Sequence, residues 1–479
     1  MSLSNALTNA VSGLVAASRG TEVVASNLAN AATPGYARRE LQMAARPLVS
    51  GGGGVHVDGA VRMVQGAVLA QARLAGAETA RAETLAGFHK SVSDAIGVPG
   101  EAGSLTTLLS QLDGALVAAA ARPESEAGLS QAVSAARDLA RAYNTLGAHV
   151  QDARSAADRA IGADVEALNS GLKRMAELNR QITVQMAGGK DSNALQDERQ
   201  RIIDGLSLVV PLKELPREGG RVALFTAEGG VLLDGFTPAS LEFTAVGLVT
   251  ADMSAGSPAL GLLRLNGEPV PPGQMGRFAG GRLAANFQIR DLDSPLAQAR
   301  LDAAAADLHD RFAAVTPNPT AGAIASGLFT DAFSGAPGLA QRIVVSAAVD
   351  PAAGGAVWRL RDGMGAAAPG PVGNADLLMR MQEALGGLRA APGIGAVPRS
   401  AASLAAELTS LAASGRLSAE RDVTTATAQS STYDTMLRQD GVDSDREMET
   451  LLALERAYAS NAKVLQTVDD MIQTILRLT

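Results

Sequence analysis

Apolar residues recur in sevens at the start of the chain. Leu3, Ala10, Ala17, Val24 and Ala31 form one series; Leu7, Leu14, Thr21 and Leu28 form a second. The alternating steps of three and four make a narrow helical stripe, the a/d seam of a coiled coil. Thr33-Pro34-Gly35-Tyr36 ends it: Pro34 disfavours helix at Thr33, and Gly35 is free to take the positive φ of a tight turn. The far end of the chain carries the same pattern. Leu451, Tyr458, Leu465 and Ile472 alternate with Leu454, Asn461, Val468 and Ile475. Asn461 is the strongly polar member; it either fixes the register of a helix pair or faces solvent on a slightly rotated helix. Most stripes of this kind are the core side of a packed helix. These two are narrow and stand at the chain ends, so each wants a partner helix. Alone, neither buries enough apolar surface to offset the entropy of ordering it, so both ends are expected to order on assembly.

Between the ends, a weak helical pattern runs from Gly66 to Ile96. Leu105, Leu108, Leu109, Leu112, Leu116 and Val117 define a clearer helix that ends near Arg122-Pro123. The next run, Leu129 to Met186, keeps one seam: Leu129, Val133, Ala136, Tyr143, Val150, Ile161, Leu168, Met175 and Ile182. Unbroken, it spans on the order of 85 Å, which implies a rod-like bundle. A shorter helix over Ala194 to Leu206 follows Gly188-Gly189. Pro211, Pro216 and Gly219-Gly220 then mark a boundary. Short β-like runs come next, at Arg221 to Thr226, Gly230 to Asp234, Leu241 to Thr250 and Leu260 to Leu265. Gly229-Gly230 and Asn266-Gly267 supply turn residues. Helix resumes near Leu283, and Ser294-Pro295 reads as an N-cap with Pro at the first position of a helix reaching about Val315. Beyond a Pro- and Gly-rich stretch lie candidate strands at Ile343 to Val349 and Val357 to Arg361, then helices from Asp376, Ser400 and Ser444.

The expected fold class is mainly α with an inserted β unit (α+β), elongated and multidomain. Residues 1–36 with 444–479 read as a terminal coiled-coil assembly domain. Residues 37–212 with 280–316 and 376–443 read as a helical rod, and 213–279 with 317–375 as a small β-rich outer domain. A length of 479 residues suits about three domains.

Composition excludes several classes of function. Aromatics are only 3% of the chain and the net charge is −8, whereas a nucleic-acid binder needs a basic face and usually stacking rings. With no cysteine, disulfides, thiolate catalysis and Cys-ligated zinc are out. No apolar run is long enough for a membrane span, and Met1 to Ser18 lacks the basic start of a secretory signal. His56, His89, His149 and His309 stand far apart, without the spacing of a helical metal site. Gly51 to Gly54 is a flexible loop, since no Lys-Ser or Lys-Thr follows it. No G-x-S-x-G elbow is present, and Asp469-Asp470 point to different sides of one helix. Neither catalysis nor a cofactor nor a metal is expected.

The stretch Ser26-Asn27-Leu28-Ala29-Asn30-Ala31-Ala32-Thr33-Pro34-Gly35-Tyr36-Ala37-Arg38, directly behind a heptad stripe, resembles the signature of the bacterial flagellar axial proteins. These include rod, hook and hook-associated proteins. Asn27, Asn30, Thr33, Pro34, Gly35 and Tyr36 form its turn. Glu447 to Leu478, with Ala457-Tyr458 and Asn461-Ala462-Lys463-Val464, is similar to the family's other end, although Glu455-Arg456 stand where the family commonly has Gln. Two further stretches resemble the hook-associated branch. One is Asn193-Ala194-Leu195-Gln196-Asp197-Glu198-Arg199 with Ile202-Ile203-Asp204 and Leu206-Ser207; the other is Gly280-Gly281-Arg282-Leu283 with Arg290-Asp291.

The resemblance implies a secreted, non-enzymatic subunit of the flagellum at the hook–filament junction, exported by the flagellar type III apparatus. It implies self-association into a ring or tube through the terminal helices. Leu3, Leu7, Leu14, Val24 and Leu28 would form one side of that interface. Leu451, Leu454, Tyr458, Asn461, Leu465, Val468, Ile472 and Ile475 would form the other. Implied partners are the hook protein, a second hook–filament junction protein and an export chaperone at the C-terminal region, with no nucleic acid and no membrane. Alternatives are another axial subunit of the distal rod or hook, which the long central helices argue against, and a flagellum-borne extracellular hydrolase, for which no convergent site is visible.

Overall fold

The computed structural model describes residues 3–45, 53–255, 257–315, 327–331 and 337–478. Gly51 and Gly52 of the glycine run, and residues 316–326 and 332–336 of the Pro- and Gly-rich stretch, lie outside them. Helix α1 (Leu3–Ala29) stops ahead of Pro34, and Gly35 takes φ +76°. An antiparallel hairpin follows, β1 (Arg39–Ala45) with β2 (Val55–Arg62), bulged at Gln42/Met43. The hairpin falls inside the stretch read as helical. Its first strand, Arg-Glu-Leu-Gln-Met-Ala-Ala, has neither β-branched residues nor clean alternation to announce it.

The helical body has the expected elements. Helix α2 (Gly66–Ile96) leads to α3 (Leu105–Ala121), whose N-cap Ser104 accepts the Thr107 N–H. Ser125 then caps α4 (Glu126–Ala187), accepting from the Gly128 N–H at 3.2 Å. α4 is one helix of 62 residues, about 93 Å long, and every residue of its expected seam is buried. Gly188-Gly189 turns the chain back into α5 (Asn193–Ser207).

A four-stranded antiparallel sheet comes next, β3 (Leu212–Pro216), β4 (Val222–Thr226), β5 (Val231–Asp234) and β6 (Thr237–Pro238), in that spatial order. The prolines at 211 and 216 read as a boundary, but β3 is an edge strand, where a missing N–H is tolerated. A smaller sheet holds β7 (Leu241–Glu242), β8 (Arg264–Leu265) and β9 (Glu268–Pro269), with Asn266-Gly267 turning at φ 54° and 82°. The strands expected over Leu241 to Thr250 and Leu260 to Leu265 therefore shrink to two residues each. Polar side chains of α4 take their backbone partners. Asp158 accepts the Val246 N–H at 2.7 Å, Ser155 the Val249 N–H at 2.9 Å, and Arg154 donates to the carbonyls of Thr250, Met253 and Arg290.

Helix α6 (Gly281–Gln288) runs through a π segment at Ile289–Asp293 into α7 (Ser294–Val315). Ser294 is thus helical and does not begin the helix as an N-cap. The wider π turn, closed by Ser294 N–H donating to the Ile289 carbonyl, makes room for Pro295, which would otherwise clash with the preceding turn. Then come β10 (Phe329–Asp331), α8 (Leu339–Arg342) and β11 (Ile343–Val345). A helical turn, α9 (Arg359–Asp362), replaces the strand expected at Val357 to Arg361. Leu360 and the adjacent Arg361 are both buried, which the two-fold alternation of a strand would not give. Helix α10 (Asp376–Gly386), a second hairpin of β12 (Arg389–Ala391) and β13 (Gly395–Arg399), α11 (Ala401–Gln439) and α12 (Ser444–Leu478) complete the chain.

Two large apolar cores sit along α4. Its first half packs with α3, α7, α10 and the start of α11; its second half packs with α5, the larger sheet and α6. A third, small cluster ties α2 to α4 and α6 through Leu85, Phe88, Ala157, Ala285 and Ile289. None of these clusters includes a residue of α1 or α12.

Candidate functional site

α1 and α12 pair antiparallel: Gly13 faces Asn461, Gly20 faces Leu454, and Asn27 reaches Glu447. Five of the buried positions of α1, Ala10, Ala17, Gly20, Val24 and Asn27, together with Gly13, follow steps of three and four; Ala16 is buried beside them. They make a face of small residues. A Cβ built on Gly13 would lie 2.6 Å from Asn461 Nδ2, and one on Gly20 would lie 2.8 Å from Leu454 Cδ2, so each glycine is a hollow for a partner side chain. Of the two series read from the sequence, Ala10, Ala17 and Val24 of the first lie on the paired face, while the second, Leu7, Leu14, Thr21 and Leu28, is displaced by one residue to Gly13, Gly20 and Asn27. Glycine and alanine add little amplitude to a hydropathy pattern, so the leucines dominate it. Their spacing of seven was the available signal.

Each expected contact has a definite place. Val24 and Val468 are buried. Leu3, Leu14, Leu451, Leu454, Asn461, Leu465 and Ile472 are half-buried. Leu7, Leu28, Tyr458 and Ile475 are exposed. Asn461 donates to the Ala457 carbonyl of its own helix at 3.0 Å while packing on Gly13. The hairpin covers a different side of α1, with Val55 N–H donating to Ser12 Oγ at 3.1 Å.

The signature turn is a hydrogen-bonded node. Asn27 is 1% exposed and uses both ends of its amide. Its Oδ1 accepts the Tyr36 hydroxyl at 2.8 Å and the Arg39 N–H at 2.9 Å. Its Nδ2 donates to the Arg39 carbonyl at 2.9 Å and to Glu447 Oε2 at 3.1 Å. Glu447, buried on α12, also receives Arg38 Nε at 2.8 Å. Asn30 donates to the Ser26 carbonyl at 2.9 Å and accepts the Thr33 hydroxyl at 3.3 Å, closing the helix end ahead of Pro34. Gly35 has positive φ and no room: a Cβ there would lie 2.1 Å from Arg201 Cγ on α5. The other half of the node is on α5. Asp197 receives Arg39 Nη2 and Arg62 Nε, each at 2.8 Å, and Asn193 Nδ2 donates to the Ala60 carbonyl at 2.7 Å. Asn27, Glu447 and Asp197 thereby fasten the helix pair, the hairpin and the body together. Sequence reasoning did not assign these roles to Glu447, Asp197, Arg38, Arg39 and Arg62, because their partners lie up to 420 positions away.

Beside the node, Arg73 on α2 bonds Asp204 and Glu214, each at 2.7 Å. Arg199 donates to the Gly220 carbonyl at 2.6 Å and to Asn179 Oδ1 at 3.3 Å. Burial pushes the Asp204 carboxyl above its ordinary value, against the pull of Arg73. Burial likewise pulls the Arg199 guanidinium down. Among the described residues no group of three or more His, Cys, Asp or Glu could hold a metal, and no helix is long and apolar enough to cross a membrane. His56, His89 and His309 each stand beside an aspartate, Asp58, Asp293 and Asp310 respectively.

Three family models match the chain. The flagellar hook-associated protein FlgK helical domain covers residues 91–319. The flagella basal body rod protein covers 7–36, and the flagellar basal body rod FlgEFG protein C-terminal covers 433–478. Flagellar hook-associated protein 1 of Escherichia coli K12 is 26% identical over 250 residues, 50% of this chain and 45% of that protein. The protein of the same name from Salmonella typhimurium is 26% identical over 274 residues, 53% of this chain and 48% of that one. The chain thus spans about half the length of the curated relatives it matches. The solved flagellar hook junction protein FlgK from Burkholderia pseudomallei superposes with a TM-score of 0.46 at 20% identity, covering 55% of this chain and 46% of that one.

Proposed function

We propose that this chain, a flagellar axial protein of the hook-associated protein 1 kind, is a non-enzymatic structural subunit that joins hook to filament. The order of the family matches carries this reading: rod-protein sequence at both ends and the hook-associated helical domain between them. Rod-type ends alone would suit a rod or hook subunit equally well; the match over 91–319 favours the junction.

In this reading residues 1–36 with 444–479 assemble the subunit into a ring or tube. Residues 37–212, 280–316 and 376–443 form a helical rod, into which the hairpin at 39–62 is set. Residues 213–279 form the outer domain; Leu328, Phe329, Ile343 and Leu360, of the 317–375 stretch expected with it, pack instead in the core around the first half of α4. The face of α1 carrying Leu7, Val11, Val15 and Leu28 is exposed while α12 occupies the small-residue face, which supports contact with a neighbouring copy. The proposed partners are further copies of itself, the hook protein, a second junction protein and, before export, a chaperone at the C-terminal region. The proposed location is the flagellum outside the cell.

Deleting the gene in the source bacterium tests the reading. Cells should carry hooks without filaments, and plasmid-borne gene should restore filaments. Normal filaments on the deletion strain would overturn it. Loss of the hooks themselves would move the protein to the rod.

A further inference from the structure

On the body side of the node, β2, the start of α2, α5 and β3 enclose a cleft of about 430 Å³. Three arginines line it, one from each of three elements: Arg62, Arg73 and Arg199. The Arg73 side chain is 6% exposed. Its Nε and Nη1 are taken by Asp204 and Glu214, but its Nη2 is enclosed with no acceptor. Arg199 bonds a carbonyl and an amide oxygen and no carboxylate. Arg62 shares Asp197 with Arg39 and gives its Nη2 to Gln200 Oε1 at 2.6 Å. Four guanidiniums therefore stand against three carboxylates, Asp197, Asp204 and Glu214.

We infer that this cleft binds a small oxyanion of the phosphate or sulfate class. An oxyanion in the cleft would offset the surplus positive charge, and the planar guanidinium fork suits its geometry. The inference rests on the cleft alone and does not depend on the junction reading. Because Arg62 belongs to both the cleft and the Asp197 bridge, a bound anion would also tighten the attachment of the hairpin.

The test uses the purified chain titrated with sodium phosphate, chloride making up constant ionic strength. Saturable heat of binding is expected, with a rise in melting temperature of about 2–4 °C, sulfate acting like phosphate and acetate having no effect. Ala70 is exposed at the rim, one turn before Arg73. Ala70→Glu should place a tethered carboxylate in the cleft, raise the melting temperature without phosphate and weaken phosphate binding at least about tenfold. Arg73→Gln should abolish binding; should it fail to fold, Ala70→Glu still decides. A response that follows ionic strength without saturating, acetate as effective as phosphate, or unchanged phosphate affinity in Ala70→Glu would each overturn the inference.

Discussion

Asn27 makes four hydrogen bonds with one amide; of the groups it holds, the Tyr36 hydroxyl also meets Ser26 and Glu447 also receives Arg38. Asn27→Ala leaves the Arg39 N–H and carbonyl unpaired and Glu447 buried with Arg38 alone, at about 1–3 kcal/mol per orphaned group. Amide exchange should quicken throughout α1 and α12 while α4 keeps its protection. Equal loss in α4 would show that the node supports the body and not the helix pair. Gly35→Val meets both a backbone penalty at φ +76° and the Arg201 side chain, at about 1–3 kcal/mol. Near-normal melting of the body between the terminal helices, with poor motility, is expected; full motility with intact junctions would contradict it. Gly20→Leu drives a side chain into Leu454 and should cost the helix pair about 1–3 kcal/mol by overpacking. Circular dichroism of the variant should show a new early melting phase and an unchanged main transition.

At the scale of elements, the π segment between α6 and α7 makes a pH prediction. Burial pushes the Asp293 carboxyl up, opposed by His89 at 3.8 Å and by the Gln288 side-chain bond. A carboxyl raised in the folded state holds its proton longer there than in the unfolded chain. Its contribution to stability is present below the unfolded value and is lost as pH rises through the folded one. Asp293→Asn should therefore gain stability relative to the parent near neutrality and gain little in acid, measured by urea unfolding across pH. A gain that is constant with pH would remove Asp293 from the account. Helices were legible where a cap or breaker bounded a periodic run, as at Arg122-Pro123, Gly188-Gly189 and Ser400. Elements were illegible where the deciding partner is distant. Residues 243–250 read as part of a strand, yet Asp158 and Ser155 of α4 take the Val246 and Val249 N–H groups. Pro295 looks like a helix start until the π segment accommodates it. The glycine hollows of α1 could be counted in the sequence, but only the partner helix shows what fills them.

For the whole molecule, α4 threads two cores that make one body, and the terminal pair shares no apolar cluster with it. The ends, expected to order only on assembly, are paired within the chain through a face of alanines and glycines, which offers little apolar area. Limited proteolysis of the free subunit should therefore release segments up to about Arg38 and from about Asp440 first, leaving the body intact. Hydrogen exchange in α1 and α12 as slow as in α4 would contradict this.

The polar node has a mechanical consequence. An apolar seam pulled apart exposes surface that water penalises, and it re-closes only when every side chain finds its old socket. Asn27, Glu447 and Asp197 lose less when parted, because water takes up each bond as it opens and gives it back as it closes. The node thus acts as a gimbal between a stiff strut and a slender pair of helices. In the proposed role between hook and filament, that would allow repeated flexing at the node.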